Sequence, residues 1–153
     1  MEIELKENER IDDLEFKGLK IIQNTKGFCF GIDAVLLSDF SKNIKKNAKV
    51  LDLGTGTGII SILLCGKTNL EKIVGVEVQE EVADMAKRSS RLNNLENKFE
   101  IINENIINLD KIFVFFYSIR RKGNCKKIIL MQFLAIFVGS FMKGNPFLNV
   151  EIC

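Results

Sequence analysis

The sequence predicts an α/β fold in which short buried strands alternate with helices around a parallel sheet. First, an apolar run at 48–53 is followed by a glycine-rich loop and an apolar segment of helical character at 59–65. Second, another short apolar run at 72–77 ends in an acid. Third, an amphipathic segment at 79–92 precedes a further apolar run at 99–103. This alternation is typical of parallel sheets covered by helices.

Composition sets limits on the chemistry. The chain has 153 residues, of which 46% are hydrophobic and 27% charged, as in ordinary globular domains. It has no histidine, and its four cysteines form no C-x-x-C pair, so we expect neither histidine-based catalysis nor a metal site. Residues 1–6 lack the basic and apolar regions of a signal peptide, and we expect a cytoplasmic protein with reduced thiols.

The N-terminal part predicts a hairpin and a helix ahead of the sheet. Residues 2–13 are charged, and we expect them to be loosely structured, either frayed or as a loose first helix. Residues 14–17 and 19–24 predict two strands joined at Gly18. Asp33 is expected to cap the helix that follows. The apolar face of that helix would carry Ala34, Val35, Leu36, Leu37 and Phe40.

The loop after the 48–53 strand contains the pattern D-x-G-x-G-x-G. Gly54, Gly56 and Gly58 permit positive φ and leave no Cβ in the way, so a ligand can lie against the backbone. Asp52 stands at the carboxyl end of the strand, where open α/β sheets bind ligands. A glycine-rich turn without a ligand is the simpler alternative.

Two other glycine-rich loops fit this stretch less well. A dinucleotide fingerprint needs glycine or alanine where Ile59 or Ser61 stands, depending on which glycine begins the motif. A phosphate loop ending in Gly66-Lys67-Thr68 would need glycine, not Ser61, at its first position. Neither cofactor class is therefore expected.

The pattern from Asp52 to Gly58 resembles the first motif of the Rossmann-like, S-adenosylmethionine-dependent methyltransferases. The resemblance implies a Rossmann-like methyltransferase sheet with flanking helices and S-adenosylmethionine as cofactor. Asp52 would then support the loop and the amino end of the cofactor. Glu77, 25 residues further on, would accept hydrogen bonds from both ribose hydroxyls. The alternative for Glu77 is a solvated loop acid.

A second segment resembles the lead-in of the bacterial tRNA adenine-N6 methyltransferases. It begins at Gln23 and continues as Phe28-x-Phe30-Gly31-Ile32-Asp33-Ala34-Val35-Leu36-Leu37. The resemblance implies that this lead-in closes over the methionine end of the cofactor, which makes Phe30 and Asp33 candidates for cofactor binding. The two phenylalanines either line the pocket or are core residues under the hairpin.

The loop after the third strand departs from that family. There, an acid contacts the adenine amino group, and the matching position here is Asn105. An asparagine side-chain oxygen can accept the same hydrogen bond without charge assistance. Glu104 is the alternative acceptor, and an ordinary loop asparagine is the third interpretation.

The sequence also lacks the motif that ends the fourth strand of this family, Asn-Pro-Pro-aromatic. That motif holds the adenine amino group in line with the methyl group and stacks on the flipped base. The sole proline is Pro146, within the partial match Asn145-Pro146-Phe147. We therefore name no catalytic residue and expect an incomplete active site.

Composition changes abruptly near residue 112. No acid occurs between Asp110 and Glu151, and seven of the 12 phenylalanines follow residue 112. We therefore divide the chain into a cofactor-binding methyltransferase domain with its lead-in, residues 1–112, and an atypical basic, Phe-rich tail, residues 113–153. A reading-frame change in the gene would produce such a break, and resequencing the gene would test this hypothesis.

The tail would complete at most one strand, at 113–117, and one helix, at 128–142, so we expect a sheet truncated after its third or fourth strand. The uncharged run at 128–142 is shorter than the roughly 20 residues of a membrane crossing, and we expect no membrane role.

The resemblance thus implies an S-adenosylmethionine-dependent methyltransferase of the tRNA adenine-N6 type, with tRNA as a possible substrate. The alternative is a truncated, catalytically inactive domain that binds the cofactor or a partner.

Overall fold

The computed structural model describes residues 3–27 and 29–108, and the backbone of one further strand at 127–131. Its elements, in chain order, are β1 (Glu9–Asp13), β2 (Lys20–Asn24), α1 (Ile32–Phe40), β3 (Lys49–Leu53), α2 (Ile59–Lys67), β4 (Lys72–Glu77), α3 (Glu80–Leu92), β5 (Phe99–Asn103), a 3₁₀ turn (Ile106–Asn108) and β6 (Lys127–Met131).

The main sheet has four parallel strands in the order β5-β4-β3-β6. The chain therefore runs outward from β3 to β5 and then returns to the opposite side of β3. Strand β3 is buried along its whole length, which explains why its sequence is a nearly continuous apolar run. Strand order reverses at β3, and open α/β sheets bind ligands beyond the carboxyl ends of strands at such a point. The predicted α/β architecture is confirmed.

The fourth strand lies where we expected the beginning of a helix. Residues 127–131 pair with β3 from Lys49↔Lys127 to Leu53↔Met131. The predicted helix over 128–142 is therefore wrong in its first part, and the predicted strand at 113–117 lies outside the described residues. Periodicity does not separate a short apolar run in a strand from one in a helix, and the β-branched Ile128 and Ile129 favour the strand.

The hairpin forms, but its first strand is β1 and not the predicted 14–17. Strands β1 and β2 pair antiparallel from Glu9↔Asn24 to Asp13↔Lys20. Residues 14–17 belong to the connection, where Glu15 and Lys17 have positive φ. Three apolar side chains of this connection pack against the core: Leu14, Phe16 and Leu19. Their spacing therefore resembles the alternation of a strand.

Helix α3 takes the place of a neighbouring strand along the other edge of β2. The Ser89 hydroxyl accepts a hydrogen bond from the Ile22 N–H at 2.9 Å. The Asn93 side chain accepts from the Lys20 N–H at 2.8 Å and donates to the Lys20 carbonyl at 2.6 Å. These side chains satisfy backbone groups that an open edge would leave unpaired.

The charged N-terminal segment is held by Arg88. Its guanidinium donates to both carboxylate oxygens of Glu9 at 2.6 and 2.7 Å, and its Nε donates to Asp84 at 2.9 Å. The hydrogen bond from Arg88 lowers the pKa of Glu9. The expectation that residues 2–13 are loosely structured is therefore wrong for β1, because sequence periodicity carries no sign of this long-range ion pair.

Helix α1 buries only part of the expected face, and Leu37 packs against the core as expected. Ala34 and Ser38 are buried, whereas Leu36 and Phe40 are 62% and 73% exposed. The helix is apolar on several sides, so its sequence does not fix which side faces the core. Among the described residues, no helix is long and apolar enough to cross a membrane.

Replacement of Arg88 by methionine tests how the hairpin is held. We expect Arg88→Met to lower the free energy of unfolding by about 1–3 kcal/mol, because Glu9 and Asp84 lose their charged donor. Urea unfolding measures the change. Arg91→Met, at an exposed position of the same helix, is the matched control. Equal stability of the two variants would contradict a role for Arg88 in holding the hairpin.

Candidate functional site

A cavity of about 580 Å³ lies at the carboxyl ends of β3 and β4. The segment before α1, the glycine loop, the start of α3 and the loop after β5 form its walls. Two predicted site residues, Asp52 and Gly58, are not part of its lining. The predicted residues that do line it are Phe30, Asp33, Gly54, Gly56, Glu77 and Asn105.

The glycine loop folds back onto β4. Gly54, Gly56 and Gly58 have φ values of 72°, 59° and 89°, a region that favours glycine. The N–H groups of Gly54 and Thr55 both donate to the Val76 carbonyl, at 2.8 and 3.0 Å. The loop therefore presents bare backbone to the cavity at Gly54 and Gly56.

Gly58 is needed for packing. It precedes α2, and a Cβ built there would lie 2.7 Å from a ring carbon of the buried Phe99. Gly75, on the neighbouring strand, is also closely approached, because its Cβ would lie 2.8 Å from the Thr55 side chain. Gly58 therefore lets the start of α2 pack against Phe99 of β5, and Gly75 lets Thr55 of the loop pack against β4.

The Glu77 carboxylate joins the glycine loop to the start of α3. It is only 7% exposed. One carboxylate oxygen accepts from the Gly56 N–H at 3.1 Å, and the other accepts from the Gln79 N–H at 2.9 Å. Each oxygen keeps a further lone pair, so this carboxylate can also accept two hydroxyl donors from the cavity.

The Asp52 carboxylate supports the loop from behind. The residue is fully buried, and its Oδ2 accepts from the hydroxyls of Thr55 and Ser61 at 2.8 and 2.7 Å. Its Oδ1 has no hydrogen-bond partner among the residues that the structure describes. Burial raises the pKa of Asp52 to about 6, although the two hydroxyl hydrogen bonds act in the opposite direction. The negative charge of Glu77 adds to the rise.

Sequence reasoning missed several residues that hold these two acids. Ser61 carries a usable signal, since it is the only polar residue in the apolar run at 59–65. Asn103 gives no such signal, yet its amide donates to the backbone carbonyl of Glu77 at 2.9 Å. Gln79 holds the Glu77 carboxylate through its backbone N–H, and no sequence pattern identifies such a backbone contact.

The lead-in contributes several residues to the cavity lining, among them Phe30, Gly31 and Asp33. Phe30 lines the cavity and also packs against the main hydrophobic core, so both interpretations of this residue hold together. Asp33 lies in the first turn of α1, but Gly31 is the N-cap, so the prediction that Asp33 caps the helix is wrong. Phe28 lies outside the described residues.

Of the two alternatives after β5, Asn105 lines the cavity and Glu104 does not. The Asn105 side-chain oxygen accepts from the Ile107 N–H at 2.9 Å, which begins the 3₁₀ turn. Glu104 accepts from the Asn105 N–H and from the Asn108 side chain, both at 2.8 Å. Glu104 thus shapes the loop that carries Asn105.

Within the described part of the chain, no group of three or more acidic, cysteine or histidine side chains is arranged to hold a metal ion.

Comparison with known proteins places this geometry in a family. A family described as "Methyltransferase domain" matches residues 44–127, more than half of the chain. The chain belongs to this family. The match covers the glycine loop and Glu77.

Two curated relatives resemble this methyltransferase domain at similar levels. A protein N5-glutamine methyltransferase of Methanocaldococcus jannaschii is 35% identical over 86 residues, which is 56% of this chain and 43% of the relative. A tRNA1(Val) (adenine(37)-N6)-methyltransferase of Flavobacterium johnsoniae is 32% identical over 72 residues, which is 47% of this chain and 31% of the relative. The chain thus spans less than half the length of either relative.

Among solved structures, a SAM-dependent methyltransferase from Agrobacterium tumefaciens superposes with a TM-score of 0.56 at 20% identity. The superposition covers 84% of this chain and 40% of that one. This likeness confirms the Rossmann-like methyltransferase fold. The cofactor of the domain is S-adenosylmethionine. The cavity fits this molecule, because it combines exposed backbone at Gly54 and Gly56 with the Glu77 carboxylate and the apolar Phe30.

Alanine at Gly58 tests whether this glycine is needed for packing. We expect Gly58→Ala to lower the free energy of unfolding by about 2–4 kcal/mol, since positive φ and the contact with Phe99 both oppose a Cβ. Gly18→Ala is the matched control, because Gly18 also has positive φ but has open space around it. Chemical denaturation compares the two, and an equal loss in both variants would show that the Phe99 contact adds no cost.

Asparagine at position 52 tests the cost of the buried charge. The pKa of Asp52 is raised in the folded protein from 3.8 to about 6, so its contribution to stability is fully present below pH 3.8 and is lost as pH rises through about 6. Asp52→Asn has no ionisable carboxyl group at this position, so its stability does not fall in this way as pH rises. From pH 4 to pH 8, we expect the stability of the variant relative to wild type to increase by about 2–3 kcal/mol. Urea unfolding across this range measures the difference, and a pH-independent difference would contradict the assignment.

Proposed function

We propose that this chain is an S-adenosylmethionine-dependent methyltransferase domain of the tRNA adenine-N6 type, with its cofactor in the cavity described above. The observation that carries the proposal is the position of Glu77. A nearly buried carboxylate at the carboxyl end of β4 faces the same cavity as the glycine loop, and it is fixed by two backbone N–H groups. A nucleoside with two ribose hydroxyls offers the donors that such a carboxylate accepts.

The residues around the cavity divide between the two ends of the cofactor. In this proposal, Glu77 accepts from the ribose hydroxyls and Asn105 lies near the adenine. Gly54 and Gly56 let the backbone approach the cofactor closely. Phe30 and Asp33 enclose the methionine end, where the Asp33 carboxylate complements the positive charge of the amino and sulfonium groups.

Asp52 and Gly58 have supporting roles in this proposal. Asp52 fixes the glycine loop through Thr55 and Ser61, and Gly58 lets α2 begin against Phe99. Neither lines the cavity, so their effect on the cofactor is through the shape of the loop.

The lead-in supports the tRNA adenine-N6 type. The segment that resembles that family, Gln23 and Phe28 to Leu37, contributes several residues to the cavity lining: Phe30, Gly31, Asp33, Ala34 and Leu37. The relative from Flavobacterium johnsoniae acts on a tRNA adenine, whereas the relative from Methanocaldococcus jannaschii is named for glutamine. A tRNA substrate and the free thiols of Cys29 and Cys65 support a cytoplasmic location.

The chemistry of this proposal is positioning. Bound S-adenosylmethionine supplies a methyl group on a positively charged sulfur. The residues of this chain hold that molecule, fix its orientation and exclude water from one side of it. Transfer to an adenine also needs groups that hold the attacking nitrogen in line.

A second candidate function is favoured by the sequence that follows β6. That strand is the fourth of the main sheet in chain order, and the resemblance places Asn-Pro-Pro-aromatic at the end of the fourth strand. The residues after Met131 are Gln132, Phe133 and Leu134, and they do not match the motif. The second candidate is therefore a domain that binds the cofactor without transferring its methyl group.

Calorimetric titration with S-adenosylhomocysteine tests the proposed site. We expect wild type to bind and Glu77→Gln to bind about tenfold more weakly or worse, because hydrogen bonds to a charged group are lost. Glu100→Gln is the matched control, since Glu100 is a strand acid that pairs with Lys72 and does not line the cavity. Absence of binding by wild type, or equal binding by Glu77→Gln, would contradict the proposal.

Methyl transfer separates the two candidate functions. Incorporation of labelled methyl groups into tRNA, recovered as N6-methyladenosine, would support the first. Binding of S-adenosylhomocysteine without any methyl incorporation would support the second.

A further inference from the structure

Gln23 connects the N-terminal hairpin to the wall of the cavity, although it does not line the cavity itself. It lies on β2 and is 2% exposed. Its side-chain Nε2 donates to Asp12 Oδ2 at 2.6 Å, and its Oε1 accepts from the Phe30 N–H at 2.9 Å. Both polar atoms of a buried amide are thus used, one on each side.

The two partners allow only one orientation of this amide. A carboxylate accepts hydrogen bonds and cannot donate them, so the NH₂ group must face Asp12. A backbone N–H only donates, so the amide oxygen must face Phe30. Arg10 donates to the other oxygen of Asp12 at 2.8 Å, which limits the movement of that carboxylate.

The consequence is a fixed path for the lead-in. Phe30 is seven residues beyond Gln23, and the segment between them includes the turn at Lys26 and Gly27. The hydrogen bond from the Phe30 N–H fixes the backbone one residue before Gly31, the N-cap of α1. The position of the Phe30 ring in the cavity and the start of α1 therefore both depend on the Gln23 amide.

We propose that Gln23 is a positioning residue for cofactor binding, which acts by holding the Phe30 backbone where its ring closes the cavity. The inference rests on the proposed function, because it needs the cavity to bind S-adenosylmethionine. Gln23 contributes no atom to the cavity wall, so its effect on a ligand is transmitted through Phe30 alone.

Gln23→Met keeps much of the buried volume and removes both hydrogen bonds. Measured by calorimetry on the full chain, we expect its affinity for S-adenosylhomocysteine to fall about tenfold. We also expect the Phe30 amide to exchange its hydrogen about tenfold faster in the ligand-free protein, because its acceptor is gone.

Asn93→Ala is the matched control. Asn93 makes two hydrogen bonds to Lys20, on the same strand, and none to the lead-in. We expect this control to lower the melting temperature and to leave both the affinity and the Phe30 exchange rate unchanged. If Gln23→Met lowers only the melting temperature, as the control does, the positioning role is overturned.

A reversed pair gives a sharper test. Gln23→Glu alone places two carboxylates against each other, and we expect weaker binding. Adding Asp12→Asn supplies an NH₂ donor to Glu at position 23 and leaves its second oxygen for the Phe30 N–H. Recovery of affinity in the double variant supports the inference, and failure to recover overturns it.

Absence of binding by wild type would overturn the proposed function itself, whereas normal wild-type binding with unchanged affinity in Gln23→Met would overturn this inference alone.

Discussion

The cavity depends on the Glu77 carboxylate more than on any other single group. Both of its oxygens accept backbone N–H groups, one from the glycine loop and one from the start of α3. Its own backbone carbonyl is held by Asn103 from the next strand and by the Glu104 N–H at 3.0 Å. Three segments that are distant in sequence therefore meet at one residue. A ligand that binds this carboxylate finds it already oriented, which lowers the cost of ordering the site on binding.

The negative charge of Glu77 makes ionisation of the nearby buried Asp52 less favourable. Two acids stand at the ends of neighbouring strands, and only one of them faces the cavity. Asp52 is fully buried, and the hydroxyls of Thr55 and Ser61 satisfy only one of its two oxygens. Burial and the charge of Glu77 together favour its protonated form. The loop is thus held by hydrogen bonds to a group whose ionisation destabilises the fold, a compromise that is common at functional sites.

The sequence predicted the parts of this structure that are encoded locally. Gly54, Gly56 and Glu77 stand next to apolar strands, so strand, loop and acid could be placed from adjacent residues. The position of β1 could not be predicted from adjacent residues, because β1 is held by the ion pair between Glu9 and Arg88, which are 79 residues apart. The alternation of Leu14 and Phe16 indicated a strand, but both side chains contact the core from a turn. Local patterns indicate that a side chain is buried, but they do not indicate whether it lies in a strand, a helix or a turn.

The same division between local and distant groups separates cofactor binding from methyl transfer. The groups that we propose hold the cofactor come from the lead-in, β3, β4 and the loop after β5, and the last of them in sequence is Asn105. None follows the change in composition near residue 112. The resemblance implies that the groups holding an adenine lie at the end of the fourth strand, and the residues after β6 do not match the expected motif. In this proposal, cofactor binding uses groups in the described part of the chain, whereas the Asn-Pro-Pro-aromatic motif expected for methyl transfer to an adenine is absent from the sequence.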